Sequence, residues 1–202
     1  MLRILITIAA LCFAGSAAAQ DFPAVHHVTG VANHDVLNIR AEPSARADIV
    51  GSFGPHERGI EVVGLSPDRR WGLVRSGEGV GWSSMRYLTP QRTGSWQDGT
   101  QHLTCFGTEP FWSFNLFMPS NRAEFEDLGM GGFEVRSNAP HHNITRHPAT
   151  MALRFNGARQ GFAVIRQGVC SDGMSDRLFG LETQIYWQGA REGFSGCCTL
   201  TP

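Results

Sequence analysis

The chain has 202 residues, with 17 basic and 18 acidic side chains for a net charge of −1. Every basic residue is arginine and the arginines are interspersed with acids, which excludes an electrostatic footprint for nucleic acid and a cationic face for an anionic membrane. Length and composition fit one or two small globular domains rather than a disordered or fibrous chain.

Residues 1–19 read as a cleaved signal peptide. Arg3 supplies a short basic region, Ile4 to Phe13 form an apolar stretch too short to span a bilayer, and Ala17-Ala18-Ala19 is a small-residue cleavage signal. Gln20 is the expected first residue of the mature chain. Cys12 follows Leu11 where a lipoprotein signal needs a small residue, so no lipid anchor is expected. No later stretch has the length and apolarity of a membrane span. The expected location is periplasmic or secreted.

Residues 20–90 read as short strands. Val28 to Val31 opens the series. Leu37 and Ile39 alternate with Asn38 and Arg40, the period of a half-buried strand. Pro43, with no backbone N–H, and Ser44 end it in a turn. Ile49 to Phe53 follows, then Ile60, Val62 and Val63 up to Gly64. Pro67-Asp68 turns the chain into Trp71 to Arg75, and Ser76 to Gly79 turns it again into Val80 to Ser83. Strands this short, spaced by glycine-rich turns, predict a small barrel.

The order Leu37-Asn38-Ile39-Arg40, Pro43-Ser44, then Trp71 to Val74, then Gly81-Trp82, then Tyr87-Leu88 resembles the bacterial SH3 (SH3b) family over residues 27–90. Gly59 stands where the family carries a glycine before its central strand, although Pro55-His56-Glu57-Arg58 is more polar than is usual there. The resemblance implies a non-catalytic module that binds peptidoglycan peptide or an envelope protein in a groove between loops. Arg40, Glu42, Trp71, Trp82 and Tyr87 are its candidate ligand residues. Tryptophan in so small a domain is more often core, and Trp82 is weighed toward the core with ligand surface as the alternative. The aromatic and acidic motif by which eukaryotic SH3 domains dock proline-rich segments is lacking. Bacterial SH3 modules also accompany wall hydrolases, so a hydrolase, or an accessory subunit of one, is the rival function.

Residues 91–100 read as a linker, polar and rich in turn formers, with Trp96 the one residue expected to pack. Residues 101–202 hold ten of the 13 phenylalanines and four of the five cysteines. Trp112, Phe114 and Leu116 share one strand face, as do Met151, Leu153 and Phe155. Gly161 to Arg166, Phe179 to Trp187 and Phe194 to Cys198 are further strands. Asn121 to Leu128 is expected to form one short helical turn. The expected fold is all-β throughout: an SH3-like small barrel, then an antiparallel meander closed into a barrel or folded as a sandwich.

Cys105, Cys170, Cys197 and Cys198 form an even set, which in an exported chain predicts disulfides with three possible connectivities. A bond between Cys197 and Cys198 is disfavoured, and neighbours on a strand face opposite ways, so each can reach a different partner. No pair of hooks for a zinc ribbon is present. Gly107 to Trp112, Cys170 to Asp176 and Gly196-Cys197-Cys198, in that order, resemble a family of bacterial envelope proteins, some of them lipoproteins, with no assigned activity. That resemblance implies the pairs Cys170–Cys197 and Cys105–Cys198.

Asp172 and Asp176 resemble a calcium loop only in part, because Met174 takes one ligand position; a turn capped by Asp172, with Asp176 paired to an arginine such as Arg177, is the expected arrangement. His141, His142 and His147 lie between Pro140 and Pro148 and read as loop histidines. Asn143-Ile144-Thr145 matches a glycosylation sequon, but the resemblance to bacterial proteins implies that it is not modified. No Cys–His, zinc-amidase or serine-hydrolase constellation assembles from the sequence. No metal or cofactor is expected, nor any nucleic-acid partner, and the chain is expected to be a monomer. With both disulfides formed, Glu109, Trp112, Asp172 and Asp176 would gather at one barrel mouth as a rim for a cationic or amino-sugar ligand. The plainer expectation is that Trp112 plugs the barrel and Glu109 caps a turn.

Overall fold

Alternation of apolar and polar residues produces strands almost throughout the chain. The computed structural model describes residues 22–92, 94–129, 131–143 and 148–200. The expected signal peptide, the Gln20 start, His147 and the end of the sequon lie outside the described residues. The first sheet comprises β1 (Ala24–Val28), β2 (Leu37–Arg40), β3 (Ile49–Phe53), β4 (Arg58–Leu65), β5 (Trp71–Ser76), β6 (Gly79–Ser84) and β7 (Leu88–Pro90). Its order is β3-β2-β6-β5-β4-β1-β7, antiparallel throughout. Leu37 and Ile39 of β2 share one apolar cluster with Val28 of β1 and Leu88 of β7, strands far apart in that order, so the sheet curls round its core. The first strand ends at Val28, where it was expected to begin, because Gly30 takes a left-handed φ of 72° and turns the chain. A register shift between Val62 and Gly64 lets β4 run on to Leu65. Val62 enters the core, and Val63, also buried, is not part of that cluster.

The second sheet comprises β8 (Leu103–Thr108), β9 (Phe111–Phe117), β10 (Arg122–Asp127), β11 (Phe133–Ser137), β12 (His141–His142), β13 (Thr150–Gly157), β14 (Gly161–Ser171), β15 (Leu178–Trp187) and β16 (Phe194–Thr199). Consecutive strands pair, β16 returns to β8, and β11 closes on β13, which makes an eight-stranded antiparallel barrel; β12 continues along the β13 edge. Two expectations are corrected. His141–His142 is a short strand and not loop, because Met151 and Ala152 leave an edge open for it. Asn121 to Leu128 is not a helical turn: a 3-10 turn at Met118–Ser120 ends on Asn121 at φ 54°, and Ala123 and Phe125 then alternate inward as β10.

An eight-stranded barrel is just wide enough to be filled by side chains or to hold one small ligand. Here it is filled. Phe125 sits at the centre, its ring against those of Trp112, Phe114, Phe133, Trp187 and Phe194. Trp96 of the linker, 2% exposed, belongs to the same cluster, so the linker is anchored in the barrel. Outward positions carry ion pairs such as Arg166 with Glu182 and Arg122 with Glu124. An apolar interior beneath a charged outer face is the reverse of a lipid-facing barrel. Among the described residues no helix is long and apolar enough to cross a membrane.

The disulfides join Cys105 to Cys198 and Cys170 to Cys197. Cys105 and Cys198 are register partners across β8 and β16 and lie in the barrel core. Cys197 faces the other way and ties β16 to the far end of β14. The two strands meet closely at Gly196, where a Cβ would stand 1.9 Å from the Phe106 carbonyl oxygen. Gly196→Ala is therefore expected to open the β8–β16 seam and destabilise the barrel by more than the roughly 1 kcal/mol centre of typical substitutions. A urea midpoint equal to that of the parent protein would show that the seam tolerates the methyl group.

Candidate functional site

The two sheets meet along β4, and a cleft of about 840 Å³ opens beside the contact. One wall is β3 with the start of β4 and the end of β5; the other is Thr104 and Phe106 of β8, Asp172, Arg177, the start of β15 and Thr199. β3 is an edge strand, so the curled sheet is not closed between β3 and β4, and the core residues Ile39 and Ile60 are reached through the gap. Phe106 and Phe179, edge to face with centroids 4.9 Å apart, form the opposite apolar wall.

Hydrogen bonds from one sheet to the other frame the cleft. The Glu61 carboxylate accepts from the Thr199 hydroxyl and from the Leu200 amide at 3.1 Å. Arg177 donates to the Gly77 carbonyl at 3.2 Å and pairs with Glu78 at 2.6 Å. At the sheet contact itself Val25 of β1 joins the barrel's apolar cluster, and Pro23 packs where a Cβ on Gly180 would lie, at 2.7 Å. These bonds fix the acids of the cleft: Glu57 likewise accepts from the Gly54 amide at 2.8 Å.

Asp172 lines the cleft but faces its own turn. Its carboxylate accepts from the Met174 and Ser175 amides and from the Ser175 hydroxyl. Partial burial pushes this carboxyl up, but those bonds and the nearby Arg177 charge outweigh it and hold the group below its ordinary 3.8. A carboxyl depressed on folding contributes stability that is complete above its unfolded pKa and is lost as pH falls through its folded pKa. The 172–177 loop is thus expected to be ordered at neutral pH and to loosen only below pH 3.8. An NMR titration of the Met174 and Ser175 amides checks this; a midpoint at or above 3.8 would contradict it.

The residues singled out from sequence are dispersed. Arg40 donates to the Ala47 carbonyl at 2.7 Å and holds the turn between β2 and β3. Glu42 is exposed in that turn. Trp82 is the register partner of Leu73 and lies, half-buried, on the face of the sheet opposite Val74, so it is not core; Trp71 flanks the same Leu73. Tyr87 packs against the first core with Arg86 over its ring at 5.5 Å. None of these five lines the cleft. Thr108 donates to the Asp172 carbonyl at 2.8 Å, which brings the Glu109 turn to the 172–176 loop. Trp112, 5% exposed, belongs to the barrel's core cluster and is not brought to the rim with them. Asp176 is exposed, and Arg177 pairs with Glu78 in place of Asp176. Among the described residues no group of three or more His, Cys, Asp or Glu is placed to hold a metal ion.

Sequence reading missed Val50, Phe53, Arg58, Arg75, Phe106 and Phe179. One signal was present: Ile49 and Val50, adjacent apolar residues 57% and 47% exposed, break the alternation of an ordinary half-buried strand. No protein-family model, no curated protein and no solved structure matches this chain.

Proposed function

We propose that this protein is a non-catalytic envelope protein that binds an extended peptide, from peptidoglycan or from an exported protein, in the cleft between its two sheets. The observation that carries the reading is the edge strand β3, which among the described residues no other strand pairs on its cleft side and whose Val50 carbonyl alone accepts from a side chain there, the Ser76 hydroxyl at 2.9 Å, with apolar walls from both sheets. An unpaired edge offers backbone donors and acceptors to an added strand, and adjacent pockets receive its alternate side chains. The SH3b resemblance of residues 27–90 supports a binding role, and two disulfides fit an oxidising compartment outside the cytoplasm. Ligand sites of this kind combine apolar walls with a few placed polar groups.

Incubation of the full chain with purified peptidoglycan tests the function, with Ser52→Trp as the site control. Ser52 is an exposed residue of β3 lining the cleft, so a tryptophan there obstructs the cleft and leaves the core intact. The parent protein is expected to be retained without releasing soluble fragments, and Ser52→Trp to be lost from the pellet. Release of fragments would assign a hydrolase. Retention unchanged in Ser52→Trp would place the binding surface elsewhere.

A further inference from the structure

The charges lining the cleft are unequally available. Each acid there is already bonded within the chain: Glu57 to the Gly54 amide, Glu61 to Thr199 and Leu200, and Asp172 to Met174 and Ser175. Of the three lining arginines, Arg177 is paired with Glu78. Arg58, at the start of β4, and Arg75, at the end of β5, are exposed. Among the described residues neither guanidinium has an ion-pair or hydrogen-bond partner. Two unpaired guanidiniums thus flank the gap beside β3, while each lining carboxylate already has a partner within the chain. A guanidinium recognises a carboxylate through paired, charge-assisted bonds, and a five-residue strand edge recognises an extended backbone.

Resting on the peptide reading of the cleft, we propose that its ligand is an acidic extended peptide, added as a strand to the β3 edge with its carboxylates on Arg58 and Arg75. A cationic segment would meet like charge at Arg58 and Arg75, and a neutral one leaves both arginines without partners.

Fluorescence polarisation of the full chain with three labelled hexapeptides tests this: alternating valine and glutamate, the same peptide with glutamine, and the same with lysine. The glutamate peptide is expected to bind about tenfold more tightly than the glutamine peptide, with the lysine peptide weakest. That preference should shrink as salt is raised and vanish in Arg58→Gln/Arg75→Gln. Both side chains are exposed and unpartnered, so the double variant should keep the parent's thermal midpoint and still bind the glutamine peptide. Equal binding of glutamate and glutamine peptides, or a preference that survives in the double variant, overturns the acidic selection and leaves the peptide cleft standing. Failure of all three peptides to bind, with Ser52→Trp without effect, sinks the cleft reading and this proposal together. A concentration-dependent dimer abolished by Ser52→Trp would give the β3 edge to a second copy of the chain and overturn the proposal.

Discussion

Cys105→Ala/Cys198→Ala is expected to lower stability by about 4.7 kcal/mol, the chain-entropy value for a loop of this length. The bond joins residues 93 apart and spans most of the barrel, from its first strand to its last. Without it the unfolded barrel segment regains the freedom of a long open loop. The Cys170–Cys197 bond closes a span of only 27, and Cys170→Ala/Cys197→Ala is expected to cost less, about 3.6 kcal/mol. Urea unfolding of the two variants under oxidising conditions checks the order. A larger loss from the second pair would mean that the anchoring of β14 and the 172–177 loop outweighs loop length. Both cysteines of the first pair are fully buried, so their replacement also removes sulfur contacts from the core, which adds to the loss.

Phe125→Ala is expected to cost about 3–5 kcal/mol. Phe125 is 1% exposed and touches five other rings, so truncation leaves a cavity at the centre of the barrel. Edge-to-face and stacked pairs contribute beyond area alone, about 0.5–1.5 kcal/mol each. The closed hydrogen-bonded ring resists collapse onto the hole, which places the cost toward the upper end of that range. Phe125→Leu, which keeps most of the apolar volume, should cost less than half as much. The readout is the urea midpoint together with near-ultraviolet dichroism from Trp112 and Trp187. A loss under about 1 kcal/mol for the alanine variant would show that the surrounding rings refill the space.

The cleft behaves differently under substitution. Ser52, Arg58 and Arg75 are exposed, so changes there are expected to move binding and leave the midpoint near that of the parent protein. Glu61 links the sheets through Thr199 and Leu200, and its replacement would alter their relative placement as well as the cleft wall. That separation of roles makes Ser52→Trp the cleaner test of the site.

Much of the fold was legible because strand periodicity is local. Trp112, Phe114 and Leu116, or Met151, Leu153 and Phe155, declare their buried face through spacing alone, and the structure buries all six. The even cysteine set and the Cys197-Cys198 step likewise signalled two bonds from opposite faces of one strand. Trp96 stood out as the packing residue of an otherwise polar linker, and it is buried in the barrel. Where local pattern was weak the reading failed. His141 and His142 carry no alternation, and only the open edge of β13 makes them a strand. Arg122 to Asp127 holds two apolar residues in six, and neighbours on both sides, β9 and β11, decide it as strand.

Apart from the adjacent apolar pair Ile49 and Val50, the candidate site belonged to the tertiary structure. Val50, Arg75, Phe106 and Phe179 come from distant parts of the chain, and no spacing rule links them. Arg177 illustrates why. In the sequence its nearest acid is Asp176, but packing of the sheets sets Glu78 within 2.6 Å of it. The sequence by itself determined which faces of each strand avoid water, because that follows from a two-residue period. Which strands close into a ring, which edge stays open, and which charges find partners were decided by tertiary packing, because each depends on contacts between residues tens of positions apart.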